Sequence, residues 1–249
     1  MTPGTGTPGA GTPGTGTPGT GRLGERTWTE LDGPHTVLVP VGALEQHGPH
    51  LPLDTDARIA AAVARRAAEG DPALLLAPPL PYGASGEHEG FAGTLSIGHE
   101  ALRAVLVELG RSASRWAQRL VFVNGHGGNL PTVPDAVAQL RREGRDVAWF
   151  GCAVPRGDAH AGRTETAILL ALDPAVVRPG PHEAGNTASL AELMPVLVRG
   201  GVAAASPNGI LGDPRGATAR QGEELLASMV GTLRERLFRW HPDERGRLG

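Results

Sequence analysis

An apolar run, Thr36-Val-Leu-Val-Pro-Val41, ends in the polar stretch Gly42-Ala-Leu-Glu45-Gln-His47-Gly-Pro-His50-Leu-Pro-Leu-Asp54-Thr-Asp56. An uninterrupted apolar run of this kind reads as a strand covered on both faces, as in a parallel sheet between helices. Glu45 and His47 are two residues apart, so in an extended segment they project to the same side. Gly48-Pro49 turns the chain, Pro52 stiffens the return, and Asp56 arrives at the start of a helical run. Carboxylate, imidazole and carboxylate therefore collect at one strand end, where α/β folds bind their ligands.

The same alternation continues along the chain. Strands are expected at 37–41, 73–77, 120–123 and 147–151, with a weaker one near 202–206. Helices are expected at 57–68, 100–115, 133–142, 165–171, 189–198 and 219–239, with a kink at Pro195. Leu102, Val105, Leu106, Leu109, Ala113 and Trp116 follow the 3-4 spacing of one buried helix face, and so do Leu225, Leu226, Met229, Val230, Leu233 and Leu237. Strands alternating with helices imply an α/β fold with a mostly parallel sheet.

Residues 1–21 are almost wholly Thr, Pro, Gly and Ala, a composition with nothing to pack, and are expected to be a disordered tail. Residues 22–241 are expected to form one domain, which suits a chain of 249 residues with 40% hydrophobic content. Residues 242–249 are expected to fray. The net charge of −3 argues against nucleic acid as a partner, because neutralising phosphates needs a concentrated basic face. No apolar run approaches the about 20 residues that span a bilayer. The N-terminus lacks the basic start and apolar segment of a secretory signal. The single cysteine, Cys152, rules out an internal disulfide, suits a cytoplasmic location and reads as a core residue.

Two further strand ends carry similar chemistry. Leu120-Val-Phe-Val-Asn124-Gly-His126-Gly-Gly-Asn129 ends a strand in a glycine-rich turn holding a histidine, with Asn124 and Asn129 placed to tie the turn down. Asp158-Ala-His160-Ala-Gly-Arg-Thr-Glu165 follows the 147–151 strand and enters a helix, with Glu165 in its first turn. Imidazoles with carboxylates suit Zn, Mn or Fe. Two such ions about 3.5–4 Å apart can share a hydroxide and polarise a carbonyl for hydrolysis. His35, His99, His182 and His241 read as ordinary surface or capping residues. His50 either orients a ligand or packs within its loop.

Glu45-x-His47-Gly-Pro-His-Leu-Pro-x-x-x-Asp56 together with Asn124-Gly-His126-Gly-Gly-Asn129 closely resembles the creatininase family of metal-dependent amidohydrolases. The stretches from Tyr82 to Ser96 and from His160 to Thr166 are similar to that family too. The resemblance spans about residues 23–240. It implies a three-layer α/β/α fold, two divalent metal ions per subunit and a homo-oligomer, often a hexamer. Carried over by position, Glu45 and His126 hold one metal, His47 holds the other, and Asp56 bridges them. Ser85 and His88 become substrate-binding candidates. With those ligands occupied, His160, in the motif that resembles the family's catalytic histidine, is the candidate general acid.

One departure stands out. Creatininase has a glutamate two residues after the histidine matching His126, and this chain has Gly128. Glu165 is the candidate to supply the missing ligand; otherwise it is a helix-start glutamate. Creatininase also encloses its substrate with tryptophans, whereas this chain has no tryptophan between 150 and 239.

Within the family, the stretch Glu192 to Ala219 resembles the mycofactocin-system branch. That branch removes a modified Val-Tyr-derived dipeptide from the C-terminus of a short ribosomal precursor peptide. Two alternatives remain beside it: a family amidohydrolase acting on a cyclic amide or formamide, and a non-enzymatic module using metal structurally. Structural zinc sites are usually closed and cysteine-rich, and this one has no cysteine.

Overall fold

A computed structural model describes residues 21–180 and 182–249. The Thr/Pro/Gly-rich tail expected at 1–21 lies, but for Gly21, outside the described residues. The chain runs β1 (Thr36–Val41), α1 (Thr55–Ala68), β2 (Leu74–Leu76), α2 (Gly98–Ala113), β3 (Arg119–Asn124), α3 (Val133–Arg142), β4 (Val147–Gly151), α4 (Arg163–Leu172), α5 (Leu190–Ala205) and α6 (Ala219–Arg239). The four strands form one sheet in the order β2-β1-β3-β4, with every pairing parallel.

Successive strand residues point to opposite faces, and the core divides accordingly. Leu38, Val121, Val123, Ala148 and Phe150 pack with Ile59 and Val63 of α1, Ile168 of α4, and Leu226 and Leu233 of α6. Val37, Val39, Leu120, Phe122 and Val147 pack with Leu102 and Leu106 of α2 and Val137 and Leu140 of α3. This is a three-layer α/β/α fold, as the alternating pattern and the family resemblance implied. The apolar stripe of α6 is buried through Leu226, Met229, Val230 and Leu233. That of α2 is rotated from expectation: Leu102, Leu106, Val107 and Gly110 are buried, while Leu109 and Trp116 are exposed.

Three expectations are corrected. The segment near 202–206 is helix, not strand, since α5 continues to Ala205. The break in α5 is at Gly201, at φ 66°, rather than at Pro195. Pro195, the sixth residue of α5, lies inside the helix without a break in its backbone dihedrals. The C-terminal residues do not fray. The Leu248 N–H donates to the Trp149 carbonyl, the Trp149 N–H donates to the Gly246 carbonyl, and Leu248 is fully buried. Residues 242–249 thus cover the free edge of β4, satisfying backbone groups an edge strand would leave unpaired.

Val41, Asn124 and Gly151 lie side by side in register at the C-terminal ends of β1, β3 and β4. The loops leaving these positions carry Glu45 and His47, His126, and His160 respectively. Asp56, in the first turn of α1, meets them from the helix side. A Cβ at Gly125 would lie 2.4 Å from the Asp56 carbonyl oxygen, so only glycine lets the β3 loop come this close.

Candidate metal centre

Glu45, His47, Asp56, His126 and His160 are buried together at the sheet's C-terminal edge. His47 Nδ1 lies 3.1 Å from the Glu45 carbonyl oxygen, so its N–H is spent on the backbone. Its Nε2 faces Asp56 Oδ1 at 3.2 Å and Glu165 Oε2 at 4.0 Å. An imidazole anchored through one nitrogen and turned toward carboxylates through the other is the usual posture of a metal-binding histidine. On the other side, His126 Nδ1 lies 3.1 Å from Asp56 Oδ2, and its Nε2 lies 3.2 Å from Glu45 Oε2. Ligand atoms converge in three groups: Glu45 with Asp56 and His126; His47 with His160 and Glu165; and Glu45 with His88 and His160. Asn124 donates to the His126 carbonyl at 2.7 Å, and Asn129 donates to Asn124 Oδ1 and the Gly42 carbonyl, so both hold the turn as expected.

Both Glu45 oxygens, Asp56 Oδ2 and the Ser85 hydroxyl are buried without a hydrogen bond of normal geometry. Buried polar groups are rarely left so, and a shell of inward-facing N and O donors with unspent lone pairs fits divalent cations of the Zn, Mn or Fe type.

The electrostatics agree. Burial and the Asp56 charge push the Glu45 carboxyl up to about 8, against the pull of His126 and His47. Burial disfavours a charged His47, but Asp56, Glu165 and Glu45 more than offset it and hold His47 up at about 10. Burial likewise opposes charge on His126, and Glu45, Asp56 and Glu87 raise it to about 9. Asp56 is held far below the carboxylate range by His47 and His126 despite its burial. Without ions, protons take the place of cations among these oxygens.

His160 lies inside this cluster rather than beside it. Its Nε2 is 2.8 Å from the Gln46 carbonyl oxygen, and its Nδ1 is 3.7 Å from Glu45 Oε1. Burial and the neighbouring His47 and His88 push it well below the usual histidine range, so it is neutral at pH 7. The Nε2–H is committed to Gln46, and the Nδ1 lone pair faces the centre. Glu165 accepts a hydrogen bond from the Ala161 N–H at 2.6 Å, which aims its carboxylate toward His47.

Ser85 and His88, expected to bind substrate, are buried behind Glu45 and do not line the cavity described below. His88 Nε2 lies 3.2 Å from Glu45 Oε1, and its Nδ1 is 2.9 Å from Gln46 Nε2. Burial and the His126 and His47 charges push His88 down to about 3. His50 reaches out of its loop: its Nε2 is 2.8 Å from Thr166 Oγ1, next to Glu165, and its ring lies against His182. Cys152 is partly buried against the core, and burial raises its thiol to about 12, which leaves it unreactive. Gln46 was not anticipated, because strand alternation turns it away from Glu45 and His47. It nonetheless bridges His88 and the Gly209 carbonyl.

A cavity of about 780 Å³ opens over Asp56, His126, His160 and Glu165, with Arg156, Leu130 and Leu190 at its margin and no tryptophan in its lining.

The creatininase family model, described as creatinine amidohydrolase, matches residues 24–237. The chain belongs to the creatininase family. This creatininase-family hydrolase is 60% identical over 217 residues to the mycofactocin precursor peptide peptidase of Mycolicibacterium smegmatis, covering 85% of this chain and 88% of that one. It is 53% identical over 236 residues to the protein of the same name from Mycobacterium tuberculosis H37Rv, covering 91% and 94%. A solved creatininase described as "Creatininase Mn" superposes with a TM-score of 0.71 at 26% identity, covering 90% of this chain and all of that one.

Proposed function

We propose that this creatininase-family member is a dinuclear metallopeptidase that trims the C-terminus of a mycofactocin precursor peptide, releasing its modified Val-Tyr-derived dipeptide. The observation that carries the reading is the doubled ligand set around Asp56. Glu45 and His126 serve one ion, His47 and Glu165 the other, and each Asp56 oxygen faces one histidine. The 53% and 60% identity to the mycobacterial peptidases supports the peptide substrate.

When bound, two divalent ions supply an activated water and polarise the scissile carbonyl. The chain's residues supply the remainder. His160, fixed by Gln46 with its Nδ1 lone pair turned inward, accepts the proton of the water and returns it to the leaving amine. The Gln46 backbone carbonyl holds His160 from behind, and the Gln46 amide donates to His88 Nδ1, whose Nε2 faces Glu45 Oε1. The cavity of about 780 Å³ is within the range that takes a drug-sized ligand, and its lack of tryptophan favours a peptide end over a single flat ring.

Homo-oligomerisation belongs to the same proposal, since Leu190, Met194 and Val198 form an exposed apolar stripe along α5. A cytoplasmic location suits a lone cysteine, and no described helix is long and apolar enough to cross a membrane.

Mass spectrometry of the metal-loaded protein with the modified precursor peptide and, separately, with creatinine tests this reading. Loss of the C-terminal dipeptide with creatinine left intact is the expected result. Creatinine turnover with an untouched peptide would refute the substrate assignment.

A further inference from the structure

We propose that Arg156 is a specificity residue of this enzyme, binding a carboxylate of the peptide substrate at the margin of the cavity. The inference rests on the peptidase reading above. Arg156 and Arg163 are the two arginines in the cavity lining. Arg163 is committed, since its Nη2 donates to the Arg215 carbonyl at 2.8 Å. The exposed Arg156 guanidinium meets no acceptor among the described residues. The acids of the lining are spent elsewhere. Asp158 accepts from the Arg163 and Thr164 N–H groups at 2.6 and 2.9 Å, and Asp213 pairs with Arg215 at 2.8 Å. Asp56 and Glu165 face the metal centre. Arg156 thus brings a fixed positive charge to the cavity with no counter-charge among the described residues.

The backbone under Arg156 is strained. The Gly157 N–H donates to the Val154 carbonyl at 3.0 Å, closing a four-residue turn with Pro155 second and Arg156 third. Arg156 has φ 61°. In a turn led by proline, a third residue with positive φ is normally glycine, because a Cβ is strained there. The turn is also fixed in place. A Cβ at Gly157 would lie 2.9 Å from Thr164 Oγ1, so the turn packs closely against the start of α4. Asp158 clamps it there by accepting from the Thr164 N–H and hydroxyl. The turn therefore belongs to the loop that carries His160 and is held by the helix that carries Glu165. Strain at a residue whose side chain contacts nothing in the protein points to a role toward substrate.

A guanidinium stays charged and presents a planar fork of N–H donors that matches the two oxygens of a carboxylate. Leu130 and Leu190, which share the margin, are apolar and exposed, so they offer it no competing partner. The carboxylate belongs to an acidic side chain of the peptide or to its C-terminus, and the substrates below separate the two.

The test is steady-state cleavage by the metal-loaded parent, Arg156→Gly and Arg156→Lys, followed by mass spectrometry, with melting temperature and metal content measured alongside. The substrates are the modified precursor peptide and versions with one carboxyl group at a time converted to its amide, side chains and terminus alike. Arg156→Gly removes the charge and the strain together. It should melt no lower than the parent and hold the same metal. Its KM should nonetheless rise about 10–100-fold, the worth of a hydrogen bond to a charged group, with kcat within about twofold. Arg156→Lys should recover part of the loss, since it restores the charge without the fork. One amide peptide should show the same rise in KM with the parent and no further rise with Arg156→Gly, which identifies the carboxylate bound. An unchanged KM in Arg156→Gly, or a rise that is equal for every amide peptide, would overturn the inference and leave the peptidase reading standing. A parent that cleaves no peptide would overturn both.

Discussion

Asp56 turns Oδ1 toward His47 Nε2 at 3.2 Å and leaves Oδ2 for His126, so one carboxylate near the start of α1 faces both halves of the centre. Glu45 faces the His126 half. Asp56→Asn is therefore expected to lower the occupancy of both ions, whereas Glu45→Gln should lower mainly one. Elemental analysis of the two variants beside the parent checks this. Equal metal content in Asp56→Asn and the parent would rule out a bridging role.

His160 and Glu165 should separate by metal retention. His160→Ala is expected to keep both ions and lose about 10²–10⁴-fold in peptide turnover, the usual worth of a general acid–base residue. Glu165→Ala should lose the ion beside His47 together with activity. If His160→Ala sheds an ion while Glu165→Ala keeps two, the two roles are reversed. His160 belongs to two of the convergent groups, which makes the comparison demanding.

The metal-free protein should weaken as pH rises. In the folded chain His126 and His47 are raised from 6.5 to about 9 and about 10, and Glu45 from 4.5 to about 8. The stabilisation from the two histidines is complete below their unfolded value and is lost as pH climbs through their folded ones. Glu45 keeps a proton that the unfolded chain has already shed above 4.5, so its contribution also falls until about 8. All three act in the same direction between pH 7 and 9.5. Cations displace these protons, so metal binding at pH 7 should release protons into a weak buffer. Melting curves of chelated protein at the two pH values, with proton release on zinc addition, check the point. A melting temperature higher at pH 9.5, with no protons released, would contradict the assigned charge states.

Leu248 is fully buried where the C-terminal residues cover β4. Leu248→Ala should cost about 2–5 kcal/mol of stability, the range for a buried leucine truncated in a packed core. Denaturant unfolding measures it, and a loss under about 0.5 kcal/mol, as for a surface position, would show that this contact is not formed.

The layers of this fold were legible because β1, β3 and β4 are short apolar runs separated by amphipathic helices, and this pattern alone specifies a covered parallel sheet. Glu45, His47, Asp56, His126, His160 and Glu165 were legible because each lies in the loop or first helical turn that follows a strand. What the sequence could not show depends on contacts through space. The C-terminal residues look like a tail by composition and become ordered only because β4 offers them a free edge. The break at Gly201 was masked by Pro195, the stronger local signal of the two. Gln46 alternates away from its neighbours yet enters the site from behind. Glu87 has no special spacing to His126, and the 3.5 Å approach of its carboxylate to His126 Nε2 appears only in the fold.

The most direct test of the account is a titration of metal-free protein with zinc, manganese or ferrous ion while cleavage of the precursor peptide is followed by mass spectrometry. Cleavage should be absent without metal and should rise to a plateau at about two equivalents per chain. Cleavage that proceeds undiminished in protein shown to be free of metal would contradict it.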